Sequence, residues 1–172
     1  MKKQEINNMK DIVEFHCPRY EELPEVFLYK DQVIIYVEDA LKALHMNKTE
    51  KLLTPTMLNN YVKQRIVSPP KDKKYNKKHL AYLIVVCALK QVFTLNEICN
   101  LIKMQIDKYP MDIAYNYFCI ELEKAIKAVF ETRDFSEISE TENNNSDTEI
   151  CKSAAMSFAH KIFTQKYINE CC

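Results

Sequence analysis

Three observations predict an all-α protein. The 172 residues include no glycine and six prolines, whereas hairpins, bulges and phosphate-cradling loops lean on glycine. Apolar residues make up 47% of the chain and recur at helical spacing in segment after segment. Capping and breaking residues fall where such segments would start and stop. The length suits one domain of ordinary size, able to bury a core without disulfides or metals.

Residues 1–28 read as an N-terminal arm, irregular with room for a short helix, in which Ile12, Val13 and Phe15 interrupt charged residues. From Tyr29 to about Met46 the stripe Val33, Ile34, Val37, Ala40, Leu41, Leu44 predicts the first long helix, and Asn47–Leu53 a connecting turn. Thr54-Pro55 starts the next helix for two reasons: a hydroxyl that accepts an orphan N–H, and a proline whose missing N–H costs nothing there. That helix should run to about Arg65. Leu58, Val62 and Tyr61 form its apolar stripe, and Thr56, Asn59, Asn60 and Lys63 its polar face.

Pro69 and Pro70 then forbid helix continuation. Five lysines follow in the eight residues from Lys71 to Lys78, a cluster that repels itself unless an anion faces it. Asn76 can cap a helix in which Leu80, Leu83, Ile84, Cys87 and Ala88 share one face while Ala81, Val85, Val86 and Leu89 cover the rest. A helix apolar nearly all round is buried, so this one should be the central post.

Thr94 and Glu97 have capping-box spacing, opening a helix with Leu95, Ile98, Leu101, Ile102 and Gln105 inward and an end before Pro110. Another helix is expected from Met111 to Thr132, with Ile113, Tyr117, Ile120, Ala125, Ile126 and Val129 on a broad apolar face. Its width predicts a partner, either the C-terminal helix or a second copy. Residues 133–149 are acidic and polar and predict a flexible loop. Ile150, Ala154, Phe158 and Ile162, with Ala155, Ala159, Phe163 and Tyr167, predict a last helix over 150–169.

Net charge is zero but unevenly placed. Asn47–Lys108 holds 12 Lys+Arg against 4 Asp+Glu, and the remainder 12 against 20. A basic centre between acidic flanks marks a polyanion surface, or more plainly a solvated lysine face. No signal peptide or membrane-spanning run is legible, so a cytoplasmic protein is expected. The seven cysteines lack Cys-x-x-Cys spacing and read as reduced, mostly packed thiols. Cys87 and Cys99 fall on apolar faces.

No catalytic constellation is present: the four histidines lie far apart without ligand-spaced partners, and there is no Gly-x-Ser-x-Gly or phosphate loop. The chain therefore reads as a non-enzyme without cofactor or metal. His79, beside the lysines, either caps its helix or meets phosphate, or else packs.

The order of these parts carries a resemblance: a short helix with a tyrosine, an aliphatic-Ser-Pro-Pro break, a basic turn ending in a tyrosine, a long apolar helix and then Phe93-Thr94-Leu95-Asn96-Glu97-Ile98. It looks like the winged helix-turn-helix of MerR-type transcription regulators. LTPTMLNNYVKQ and PPKDKKYNKKHLAYL more closely resemble a family of uncharacterised bacterial proteins, a domain of unknown function with a MerR-like core. The resemblance spans Tyr29 to Met104. It implies that residues 29–108 form the DNA-binding unit, with Pro55–Arg65 in the major groove and residues 68–78 as a wing on phosphates. It also implies that residues 109–172 dimerise, through helices 111–132 and 150–169. Glycines usual in MerR wings are missing, and Thr56, Asn59 and Asn60 stand where arginines usually begin the recognition helix.

On this reading Lys71, Lys73, Lys74, Lys77 and Lys78 neutralise phosphates. Asn59 and Asn60 can pair with adenine, and Lys63 or Arg65 can reach guanine. Asn60 and Lys63 are the favoured readers, Lys73 and Lys74 the favoured anchors. Tyr61 places its hydroxyl at a phosphate or is purely structural. The expected partners are double-stranded DNA and a second copy, with a small-molecule effector left open. The alternative is a protein-interaction module that turns the same basic face to an acidic protein.

Overall fold

The computed structural model describes residues 9–47, 49–133 and 146–171. Its main helices are α1 (Lys30–Ala40), α2 (Pro55–Lys63), α3 (Lys77–Leu89), α4 (Leu95–Ile106), α5 (Met111–Lys127) and α6 (Ser146–Cys171). A π turn, Ala128–Thr132, extends α5. One short antiparallel ladder joins β1 (Leu28–Tyr29) to β2 (Lys74–Tyr75), with Leu28 opposite Tyr75 and Tyr29 opposite Lys74. The expected helical fold is found, mainly α with this one ladder added. Two-residue strands are too short to show alternation in a sequence.

α3 is buried because it has no polar face: from Leu80 to Leu89 only Tyr82 and Val85 retain partial exposure. It packs against α1, α4, α5 and α6. Asn76 Oδ1 accepts from the His79 amide (3.2 Å) and Thr94 Oγ1 from the Glu97 amide (3.4 Å), so both expected caps form. The Glu97 carboxylate returns to the Thr94 amide at 2.8 Å.

One continuous core runs from Ile12 through Val33, Leu58, Leu80, Ile98 and Leu122 to Phe158 and Ile162, crossing both expected segment boundaries. The arm belongs to it: Ile12, Phe15, Cys17 and Leu23 are buried. Polar ties hold this arm on α5. Arg19 Nη2 lies 2.7 Å from Glu123 Oε2, the Cys17 amide donates to Glu123 Oε1 (2.8 Å) and Tyr115 Oη donates to the Pro18 carbonyl (2.8 Å).

α5 carries two apolar stripes, and the expectation picked partly the wrong one. Tyr115, Phe118, Cys119 and Leu122, at i, i+3, i+4 and i+7, turn inward with Ala125, Ile126 and Val129. Ile113 and Ile120 remain 53% and 38% exposed. The aromatic stripe wins because it offers more area to bury. The α5–α6 contact is the most extensive in the fold, with Ala154, Ala155, Phe158, Ala159 and Ile162 buried on α6 as expected. α6 begins at Ser146, four residues earlier than expected, and most of the expected acidic loop lies outside the described residues.

Candidate nucleic-acid interface

α2 is placed by its ends. Thr54 Oγ1 accepts from the Met57 amide at 3.1 Å, and Pro55 holds the first helical position. Upstream, two residues from other helices grip the approaching chain: Lys90 Nζ, just past α3, donates to the Leu52 carbonyl, and Glu38 Oε1 of α1 accepts from the Leu53 amide at 3.4 Å. Leu58 and Tyr61 are buried beneath the helix and Val62 half-buried, while Thr56, Asn59, Asn60 and Lys63 are exposed. Those four fall at i, i+3, i+4 and i+7, one face by helical geometry.

The helix stops two residues short of the expected Arg65, in a Schellman turn. Ile66 N–H reaches the Tyr61 carbonyl (2.8 Å) and Arg65 N–H the Val62 carbonyl (3.0 Å). Arg65 takes the left-handed position (φ 58°) usually given to glycine. Its side chain is exposed.

Residues Ile66–Pro70 lead from Arg65 to a hairpin tip. Lys71 and Lys74 exchange both backbone hydrogen bonds, at 3.1 and 2.9 Å, around Asp72 and Lys73 at φ 50° and 62°. Positive φ at both central residues marks a type I′ turn, made here without glycine. Six residue steps bound the span from Arg65 to Lys71 at about 20 Å.

His79 ties this excursion to α3. Its Nε2 lies 3.0 Å from Ser68 Oγ at the exit of α2, its Nδ1 accepts from the Asn76 amide (3.0 Å), and the Tyr75 ring meets it edge-on at 5.4 Å. Burial lowers the imidazole pKa below its ordinary value, partly offset by the backbone of Ser68 and Pro69 accepting from the ring. Of the sequence readings of His79, the structure shows the helix cap and the packing together, with the ring 8% exposed.

The basic residues divide by environment. Lys63, Arg65, Lys71, Lys73 and Lys78 are exposed, and none takes part in an ion pair among the described residues. Lys74 lies over the Tyr29 ring (5.1 Å) and Lys77 over the Tyr20 ring (5.1 Å). Lys77 also pairs with Glu25. These two hold β1 and the preceding loop to the base of the hairpin. Tyr61, 5% exposed, has its phenol pKa pushed up to about 12 by burial and belongs to the core. Ser68, Lys90 and Glu38 escape sequence reading because each acts on backbone or on one distant atom. Only Ser68, five residues past Lys63 on the proline-broken turn, had a local cue.

Among the described residues no three His, Cys, Asp or Glu side chains are grouped to hold a metal ion, and no helix is long and apolar enough to cross a membrane. Residues 18–118 match the family described as Domain of unknown function (DUF1836). No curated protein and no solved structure matches the chain.

Proposed function

We propose that this chain, which belongs to the DUF1836 family, is a sequence-specific double-stranded DNA-binding regulator. On this reading α1 and α2 are a helix-turn-helix and Lys71–Lys74 the tip of a wing, the MerR-like arrangement. The observation that carries it is one polar helix face, Thr56, Asn59, Asn60 and Lys63, joined by a short tether to a turn that exposes Lys71 and Lys73. A major groove about 12 Å wide accepts a helix, and a tether of about 20 Å reaches the flanking phosphates. Asn59, Asn60 and Lys63 would read bases, with Arg65 at the groove edge. Lys71, Lys73 and Lys78 would anchor. Lys74 and Lys77, engaged with aromatic rings, would support the wing more than they bind.

The exposed Ile113 and Ile120 on α5, seven residues apart, fit the homodimer that a two-fold operator would require. Selection from random duplexes tests the reading. The wild type should enrich one sequence, and Asn60→Ala with Lys63→Ala should relax it at the positions those residues contact. Enrichment of no sequence by the wild type would count against it.

A second reading has its own observation. Val26 and Phe27, 66% and 57% exposed, precede β1 beside the basic hairpin, an apolar centre with a charged rim such as protein partners use. It predicts binding to an acidic protein that Phe27→Ser abolishes while leaving any DNA affinity unchanged.

A further inference from the structure

α3, α4, α5 and α6 do not close completely on one another. Between them lies a cleft of about 60 Å³, partly open to solvent, with room for roughly four to six waters by the measure on which one needs about 10–15 Å³. Its walls include Val85 of α3, Ile102 and Ile106 of α4, Ala114 and Phe118 of α5 and Ile150 of α6. No charged side chain lines it. Its polar groups come from Gln105, Tyr82, Tyr115 and Cys151; the Gln105 Nε2 already donates to the Asp147 carbonyl at 2.8 Å and the Tyr115 hydroxyl to the Pro18 carbonyl at 2.8 Å. The Gln105 bond, with the Lys108–Asp147 ion pair, clips the first turn of α6 to the end of α4 beside the cavity. Ile106 is 43% exposed.

We infer that this cavity is a binding site for a small, uncharged, apolar molecule about the size of one aromatic ring or a short alkyl chain. An apolar wall facing water forgoes the dispersion contacts and the burial that an apolar ligand would supply. Water would find too few polar partners here to fill the void well. An ion would be desolvated with nothing to pair with. The carboxamide oxygen of Gln105 accommodates one hydrogen-bond donor on the ligand. The site does not rest on the DNA reading: it would stand if the chain bound no nucleic acid.

Indole is the probe, because in a chain without tryptophan its fluorescence can be excited to the red of tyrosine absorption, free of protein background. Titrated into the full chain, it should bind one to one with Kd on the order of 0.1–1 mM, inside the per-atom bounds of ligand efficiency. In methyl NMR spectra the shifts should fall on Val85, Ile102, Ile106 and Ile150. Toluene should compete, and benzoate should compete at least 10-fold less well. Ala114→Phe fills the cavity from α5 and should weaken indole at least 10-fold while thermal melting stays cooperative. Val85→Phe fills it from α3 and serves if the first variant does not fold. Binding that does not saturate, shifts centred on the exposed Val26 or Ile168, benzoate as good as toluene, or undiminished binding to a folded filled variant would each overturn the site.

Discussion

His79 Nε2 lies 3.0 Å from Ser68 Oγ, joining the first turn of the buried helix α3 to the chain leaving α2. Through that contact and its bonds to Asn76, one imidazole fixes both ends of the excursion that carries Lys71 and Lys73. His79→Ala strips Ser68 and Asn76 of a partner and should cost about 1–3 kcal/mol, read as a lower denaturant midpoint at unchanged slope.

The same residue sets a pH dependence. Its folded pKa is depressed, so the unfolded chain binds the proton more readily. The stabilisation is complete above the ordinary imidazole value of about 6.5 and is lost as pH falls through the folded value. Thermal melts stepped from pH 7.5 to 5 should show a decline that His79→Gln flattens. An equal decline in both proteins would place the titration elsewhere.

Arg19 and Glu123 should behave oppositely to a surface pair. Burial works to raise the Glu123 carboxyl, but the Arg19 guanidinium and the Cys17 amide outweigh it and hold its pKa below the usual range. Its stabilisation is therefore present above the ordinary carboxylate value of about 4.3 and lost as pH falls through the lower folded value. Arg19→Ala should cost about 1–3 kcal/mol at pH 7. The gap from wild type should narrow in urea titrations below pH 4, as Glu123 is protonated.

Two non-glycine residues at positive φ leave stability unclaimed at the hairpin tip. Asp72→Asn with Lys73→Gly supplies the Asn-Gly pair that a type I′ turn favours. It should add about 0.5–1.5 kcal/mol by relieving left-handed backbone at Lys73, a rise in Tm of roughly 2–4 °C per kcal/mol for a chain of this size. The Asp72 and Lys73 charges leave together, so the net charge of the turn is unchanged, and a fall in DNA affinity while Tm rises would report the Lys73 contact itself. Calorimetry and a binding titration on the one variant separate the two effects.

Much of this architecture is legible in the sequence because local chemistry decides it. Thr54-Pro55, Asn76 and Thr94 with Glu97 cap α2, α3 and α4 in their own segments, and the all-round apolar run from Leu80 makes α3 the centre. Less was legible where distant groups decide. α5 has two apolar stripes, and only packing against the arm, α3 and α6 selects Tyr115 and Phe118 over Ile113 and Ile120. The hairpin has no glycine cue because Asp72 and Lys73 bear the positive φ themselves. At the candidate site, polar spacing on α2 shows which residues share a face. It does not decide between the outward and the packed readings of Tyr61 and His79, or show that Lys74 and Lys77 sit on tyrosine rings, since those rings come from residues 20–29.

The most direct test of the DNA reading is fluorescence polarisation of a random duplex pool with wild type and Lys71→Glu/Lys73→Glu, at roughly 50 and 200 mM salt. With about three phosphates neutralised, by Lys71, Lys73 and Lys78, the wild type should lose on the order of 40-fold in affinity between the two salts. The double variant should bind at neither salt while keeping the wild-type Tm. Wild type that fails to bind at low salt, or a folded double variant with undiminished affinity, would contradict the account and shift attention to Phe27 and an acidic protein partner.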